Sequence, residues 1–361
     1  MEIKDLKFEN LLKEKTVIIL GAGASSDYNF PLWVDLRKDI ITQISRIDEK
    51  DNIYNKYDLD EYLEKNKVIL KEWLDIFKNS DFDKKTVDEL LYETEDLLGD
   101  VAKKYPILQL ISLIIGEYEV LSLSINTKKW IEIFSDKFVD YLKSKRSTAD
   151  VSNDIKFVKQ CVENINIVSF NYDRAFEYFF YKNFVNKFKE GLNKKNMIYE
   201  QFYDNGSVLK VIRFFHPHGA IGLGVDSGLS GGNKIVIGGS QALTFNSKGL
   251  SSHYADYGDI SRIARHIKDN ETHISEVDVL NSDADSNPAY NRCNDILSEA
   301  VNIIVIGLSP KGIIQSKLRF NESAKYYFSN NKEDEKEISD KIKSKNKYFI
   351  GEFCEKLVKY F

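Results

Sequence analysis

Thr16 to Leu20 is an unbroken run of β-branched and aliphatic residues that ends on Gly21-Ala22-Gly23-Ala24-Ser25. A short apolar run bounded by glycine reads as a strand buried on both faces. Comparable runs lie at Ile165 to Phe170, Val208 to Phe215, Lys234 to Ile237 and Val301 to Ile306, with a sixth at Lys325 to Phe328. Strands of this texture belong to a parallel sheet with helices on both faces. An α/β fold is therefore expected.

Between the first two strands the texture changes. Leu59 to Phe77, Thr86 to Tyr105 and Lys128 to Lys145 carry apolar residues at helical spacing with charges between them. This predicts a large α-helical insertion over residues 40–150, with residues 1–39 and 151–361 forming the sheet domain. Gly219 to Gly239 and the stretch from Asn281 read as loops, Asp256 to His273 as a helix, and the charged tail as ending in a helix. No internal repeat is present.

Composition narrows the function. A net charge of -5 argues against direct nucleic-acid binding over a broad surface. The three cysteines, Cys161, Cys293 and Cys354, are far apart and form no C-x-x-C pair, so neither a zinc ribbon nor a disulfide framework is expected. The N-terminal residues lack a signal pattern, and the most apolar window, Ile107 to Ile115, is too short to span a bilayer. A soluble cytoplasmic protein without metal and without membrane attachment is the expectation.

Four short stretches carry candidate chemistry. Gly21 and Gly23 lack Cβ atoms where a strand should pass into a helix, which suits close approach of a pyrophosphate to backbone N–H groups. A plain strand–turn–helix junction is the alternative reading of the loop. Position 26 is Ser where a dinucleotide fingerprint wants a third glycine, so a hydride-transfer enzyme is disfavoured. Asn171 and Asp173 flank Tyr172 past the second strand, either as helix caps or as ligands at the carboxyl end of a strand. His216 and His218 follow the third strand. Histidine exchanges protons near neutrality, although a strand-end histidine is often structural. Gly307 and Ser309 follow the strand Val301 to Ile306.

Taken in order, these stretches resemble the sirtuin-like family. Gly21, Ala22, Gly23, Ala24 and Ser25 followed by Pro31 match its glycine loop. Asn171-Tyr172-Asp173 matches its Asn-x-Asp motif, His218-Gly219 its His-Gly, and Gly307-Leu308-Ser309 its Gly-x-Ser. Thr86 to Leu91 is similar to a helical motif in the bacterial branch, and Trp33 and Leu36 fit that branch too. The resemblance spans about residues 16 to 310 and implies a Rossmann-like sheet. It implies that NAD is bound as substrate, with Gly21 to Ala24 and Ser25 at the phosphates, Asp173 at the carboxamide, and Gly307 and Ser309 near a ribose. Asn171 and His218 would be catalytic, and His216 is the weaker histidine candidate.

The chain departs from deacylating sirtuins in two ways. Pro31, Leu32, Trp33 and Val34 stand where those enzymes carry Pro-Asp-Phe-Arg, so Trp33 would take over shielding of nicotinamide. A helical insertion stands where they carry a zinc ribbon. Both departures match the branch resembling antiphage NAD hydrolases, which implies a homo-oligomer or a partner such as a HerA-like ATPase. A protein deacylase, an ADP-ribosyltransferase or a non-catalytic nucleotide-binding subunit are the alternatives.

Overall fold

A computed structural model describes residues 8–80, 85–144, 163–190, 209–217, 221, 241–245, 257–269, 288–310 and 318–351. Its sheet is built from β1 (Thr16–Leu20), β2 (Ile165–Ser169), β3 (Leu209–Phe215), β4 (Gln241–Phe245), β5 (Asn302–Ile306), β6 (Lys325–Ser329) and β7 (Lys347–Phe349), in the order β4-β3-β2-β1-β5-β6-β7. Six strands are parallel, and β4 runs antiparallel to β3 at one edge. Every residue of β1, β2 and β5 is buried, because helices flank the sheet in a Rossmann-like α/β fold.

Two strands differ from the sequence expectation. The expected strand Lys234 to Ile237 lies outside the described residues, and the antiparallel edge strand Gln241–Phe245 is one that the sequence reading did not include. In the tail, α12 (Lys332–Lys341) precedes β7, a strand of three residues with only Tyr348 buried. So short an edge strand leaves no apolar run to read.

Before β1 lies α1 (Phe8–Lys13). Between β1 and β2 come α2 (Trp33–Ser45), α3 (Ile53–Lys56), α4 (Asp60–Lys78), α5 (Val87–Tyr92), α6 (Thr94–Leu98), α7 (Lys104–Ser122) and α8 (Trp130–Ser144). Thr86 opens α5 with a reciprocal capping box to Glu89. The apolar window Ile107 to Ile115 is the heart of α7. Ile107, Leu108, Leu110, Ile111 and Leu113 are all fully buried, so α7 is an internal helix packed against α2, α4 and α10 (Ile260–Lys268). No helix among the described residues is long and apolar enough to cross a membrane. α8 lies along α9 (Ala175–Glu190), and Phe134, Phe138, Phe176 and Phe180 interlock between them. α11 (Pro288–Glu299) leads into β5.

The chain leaves β1 to one side through β2 and β3 and returns to the other side through β5. The carboxyl ends of β1 and β5 therefore mark the topological switch point, where open α/β sheets hold ligands. Leu20 pairs with both Ser169 and Ile306, so the loops after these three strands start level. There the backbone runs very close. Gly21 donates its N–H to Ile306 O at 2.9 Å and Gly23 to Gly307 O at 3.0 Å. Gly307 has φ +58°, and a Cβ on it would stand 2.2 Å from Ala24 N.

Gly307→Ala should combine left-handed strain with this clash and lose about 2–5 kcal/mol in urea unfolding. Gly99 has φ +71°, and a Cβ on it would meet nothing within 4 Å. Gly99→Ala should therefore show only the strain, about 1–2 kcal/mol. Equal losses in the two variants would refute the idea that close loop packing demands Gly307.

Candidate functional site

Past β1 the chain does not enter a helix at once. Two short 3₁₀ turns, Ala22–Ala24 and Ser26–Tyr28, come first, and α2 begins only at Trp33. The N–H groups of Gly21, Gly23, Ala24 and Ser25 are all donors within the fold, to Ile306, Gly307, Gly21 and Ala22 carbonyls. Exposed Ala22 is not among these donors. The insertion holds the loop from outside. Trp130 Nε1 donates to Ala24 O at 2.8 Å, and Tyr28 Oη donates to Glu132 Oε2 at 2.5 Å.

The turn after β2 comes against this loop. Asn171 Nδ2 donates to Ser25 Oγ at 3.0 Å, and Ser25 Oγ donates to Asp173 Oδ1 at 2.9 Å. Ser25 is thus a relay between two residues that lie 146 and 148 positions away in sequence. All three are less than a tenth exposed. The amide oxygen of Asn171 makes no hydrogen bond among the described residues and remains an acceptor. Asp173 Oδ1 also accepts from Ala175 N–H at 3.0 Å, so it caps α9 while it binds Ser25. The capping and ligand readings of this motif are compatible in one residue.

Burial pushes the Asp173 carboxyl up to about 7, with Glu177 and Glu119 adding to the rise against the hydrogen bonds from Ala175 and Ser25. Its hydrogen bonds all enter Oδ1, which leaves Oδ2 to carry a proton.

Sequence reasoning missed the groups behind this turn. Arg174 and Glu119 form a buried bidentate ion pair, Nε to Oε1 at 3.0 Å and Nη2 to Oε2 at 2.6 Å, which ties the turn to α7. Removing one partner of such a pair costs about 3–5 kcal/mol. The Arg174 guanidinium also lies over the Tyr257 ring, and Tyr257 stacks on Tyr178 at 3.9 Å. His216 Nε2 hydrogen-bonds Glu177 Oε1, with both side chains buried. Burial opposes a charged His216, but Glu177, the Asn171 backbone and Asp173 outweigh it and raise its pKa. Glu119, near the end of α7, and Glu177, in the first turn of α9, read as ordinary helix charges, so no local signal marked them.

The remaining candidates divide. Gly307 packs on Gly23 as described, and exposed Ser309 follows it. Leu308 is clamped from the end of β6, its N–H donating to Asn330 Oδ1 at 3.2 Å and its carbonyl accepting from Asn330 Nδ2 at 2.7 Å. Trp33 packs against Phe77 and lines a surface cleft of about 460 Å³ with Val34, Arg37 and Ile41. No described contact joins Trp33 to Asn171 or Asp173. His218 and Gly219 lie outside the described residues, as do Cys161 and Cys354. Burial pushes the Cys293 thiol up to about 12, which makes it inert as a nucleophile. No family model and no curated protein matches the chain.

The Asp173 carboxyl gives a pH test. A folded pKa near 7 against 3.8 means the native state holds the proton more tightly. That stabilisation is fully present below pH 3.8 and is lost as pH rises through about 7. Asp173→Asn should therefore gain stability relative to the parent protein, by up to about 4 kcal/mol, between pH 4 and pH 8. Urea midpoints measured across this range check it, and parallel curves for the two proteins would contradict it.

Proposed function

We propose that the protein is an NAD hydrolase that breaks the nicotinamide–ribose bond and releases nicotinamide and ADP-ribose. One observation supports this reading above the others. The Asn171–Ser25–Asp173 hydrogen-bond chain joins two motifs remote in sequence at the switch point of the sheet. Those motifs are two of the four that resemble the sirtuin-like family.

In this reading the ribose and the attacking water meet the Asn171 amide, which donates and accepts at once. A carboxyl titrating near neutrality suits the nicotinamide carboxamide, because Asp173 can donate from Oδ2 and still accept at Oδ1. Breaking the C1′–N1 bond sends its electron pair to the pyridinium nitrogen, so nicotinamide leaves neutral. Water bonds C1′, and its proton passes to His218, a role worth about 10²–10⁴-fold in rate. His216 and Ile221, the nearest described residues around His218 apart from Pro217, both contact the Asn171–Asp173 turn. His216 lies by the Asn171 backbone, and Ile221 N–H donates to Tyr172 O at 2.9 Å. Because the Gly21, Gly23, Ala24 and Ser25 N–H groups are engaged within the fold, the phosphate contact falls to the N–H of exposed Ala22.

An enzyme that consumes NAD starves its own cell unless it is restrained. Antiphage defence, with activation through homo-oligomer assembly or a HerA-like ATPase partner, belongs to the same proposal. The test is nicotinamide release by purified protein, with and without an acylated peptide. Asn171→Ala and His218→Ala should each lower turnover by about 10²-fold or more while the protein stays folded, with Asn171→Ala lowering the melting temperature by a few degrees for its lost hydrogen bond to Ser25. Activity that survives both substitutions, or that requires the peptide, would displace the hydrolase reading.

A further inference from the structure

The buried pair of His216 and Glu177 stands apart from the Ser25 relay, yet it lies directly behind the same turn. His216 follows directly on β3, which is the neighbour of β2, and Val168 pairs with Phe215. His216 therefore stands level with Ser169, the last residue of β2, two positions before the Asn171–Asp173 turn. Glu177 comes from the first turn of α9, the helix that Asp173 caps. The pair thus bridges the strand and the helix on either side of the turn. His216 is 2% exposed and Glu177 1%, so neither is placed to touch a ligand directly. Their neighbours are the Asn171 backbone and Asp173, and Glu119 of the Arg174–Glu119 pair also acts on Asp173. Among the described residues Nδ1 of His216 makes no hydrogen bond of ordinary geometry, although the Asn171 backbone is near enough to favour the charged ring. The ring is thus fixed through Nε2 alone, with its Nδ1 near the Asn171 backbone.

We infer that His216, clamped by Glu177, is a positioning residue that holds the backbone of the Asn171–Asp173 turn in the arrangement that presents the Asn171 amide and the Asp173 carboxyl to a ligand. A strand-end histidine that served packing alone would not need a buried carboxylate. An apolar pair fills such a space at equal or better stability. The kinetic part of this inference rests on the hydrolase reading, whereas its structural part does not.

Removing His216 alone leaves Glu177 buried and unpaired, which threatens the fold. The informative protein is the double variant His216→Leu/Glu177→Leu, in which no orphan charge remains. It should melt within about 5 °C of the parent. Hydrogen exchange in a peptide covering residues 169–175 should nevertheless quicken at least about tenfold, while a peptide covering 302–306 keeps its protection. Nicotinamide release should show kcat lowered at least about tenfold, with a smaller change in KM. His216→Gln keeps an N–H donor at the Nε2 position and should recover most of the lost protection and turnover.

A double variant with parent-like exchange at 169–175 would overturn the inference and leave the pair a packing element. If the double variant does not fold, the milder pair His216→Gln/Glu177→Leu is read in its place: quickened exchange at 169–175 supports the role, and parent-like exchange overturns it. A parent protein that releases no nicotinamide would defeat the hydrolase reading, and the exchange result would still decide the role of His216.

Discussion

The contact on which the site depends is backbone against backbone. Gly21 and Gly23 hydrogen-bond the carbonyls of Ile306 and Gly307, and Gly307 takes a left-handed conformation to allow it. No side chain fits between these loops. Their closeness fixes Ser25 at the end of β1, and Ser25 in turn meets Asn171 and Asp173. The glycines that looked like a phosphate cradle thus serve first to join two strand ends across the switch point. A ligand approaching them meets a loop whose donors are largely engaged.

A second layer of order comes from buried charge. Arg174 with Glu119 and His216 with Glu177 both adjoin the Asn-Tyr-Asp turn, one reaching into the insertion and the other across to the end of β3. Pairs this deeply buried add little net stability over apolar replacements. What they add is direction, because a bidentate guanidinium or a clamped imidazole tolerates few geometries. Asp173 sits among these groups with its own proton held up to about pH 7, so the turn is polar, buried and narrowly defined.

Much of this was legible in the chain. β1, β2, β5 and β6 are apolar runs because both their faces are covered, and that double burial is what a sequence displays best. Helical periodicity marked the insertion, although α7 was less plain, because its central stretch Ile107 to Ile115 carries no charge to outline a solvent face. β7 was missed because an edge strand of three residues with one buried side chain leaves no pattern, and β4, the antiparallel edge strand Gln241–Phe245, was not read from its sequence. Of the candidate site, Ser25, Asn171 and Asp173 could be named from local motifs, since each follows a readable strand. Glu119, Glu177 and Asn330 could not, because their meaning lies in a partner brought close only by folding. Trp33 belonged to a motif by position, yet its ring packs on Phe77 in α4.

Trp130 offers one consequence of a different kind. Its indole N–H satisfies the carbonyl of Ala24, a buried acceptor in the glycine loop that would otherwise stand without a partner. The insertion is therefore not a module that evolution or an engineer can exchange freely. Any replacement segment must return a donor to the same point, or the loop must find another conformation. The helical region and the glycine loop of the sheet are, in that sense, a single unit of inheritance.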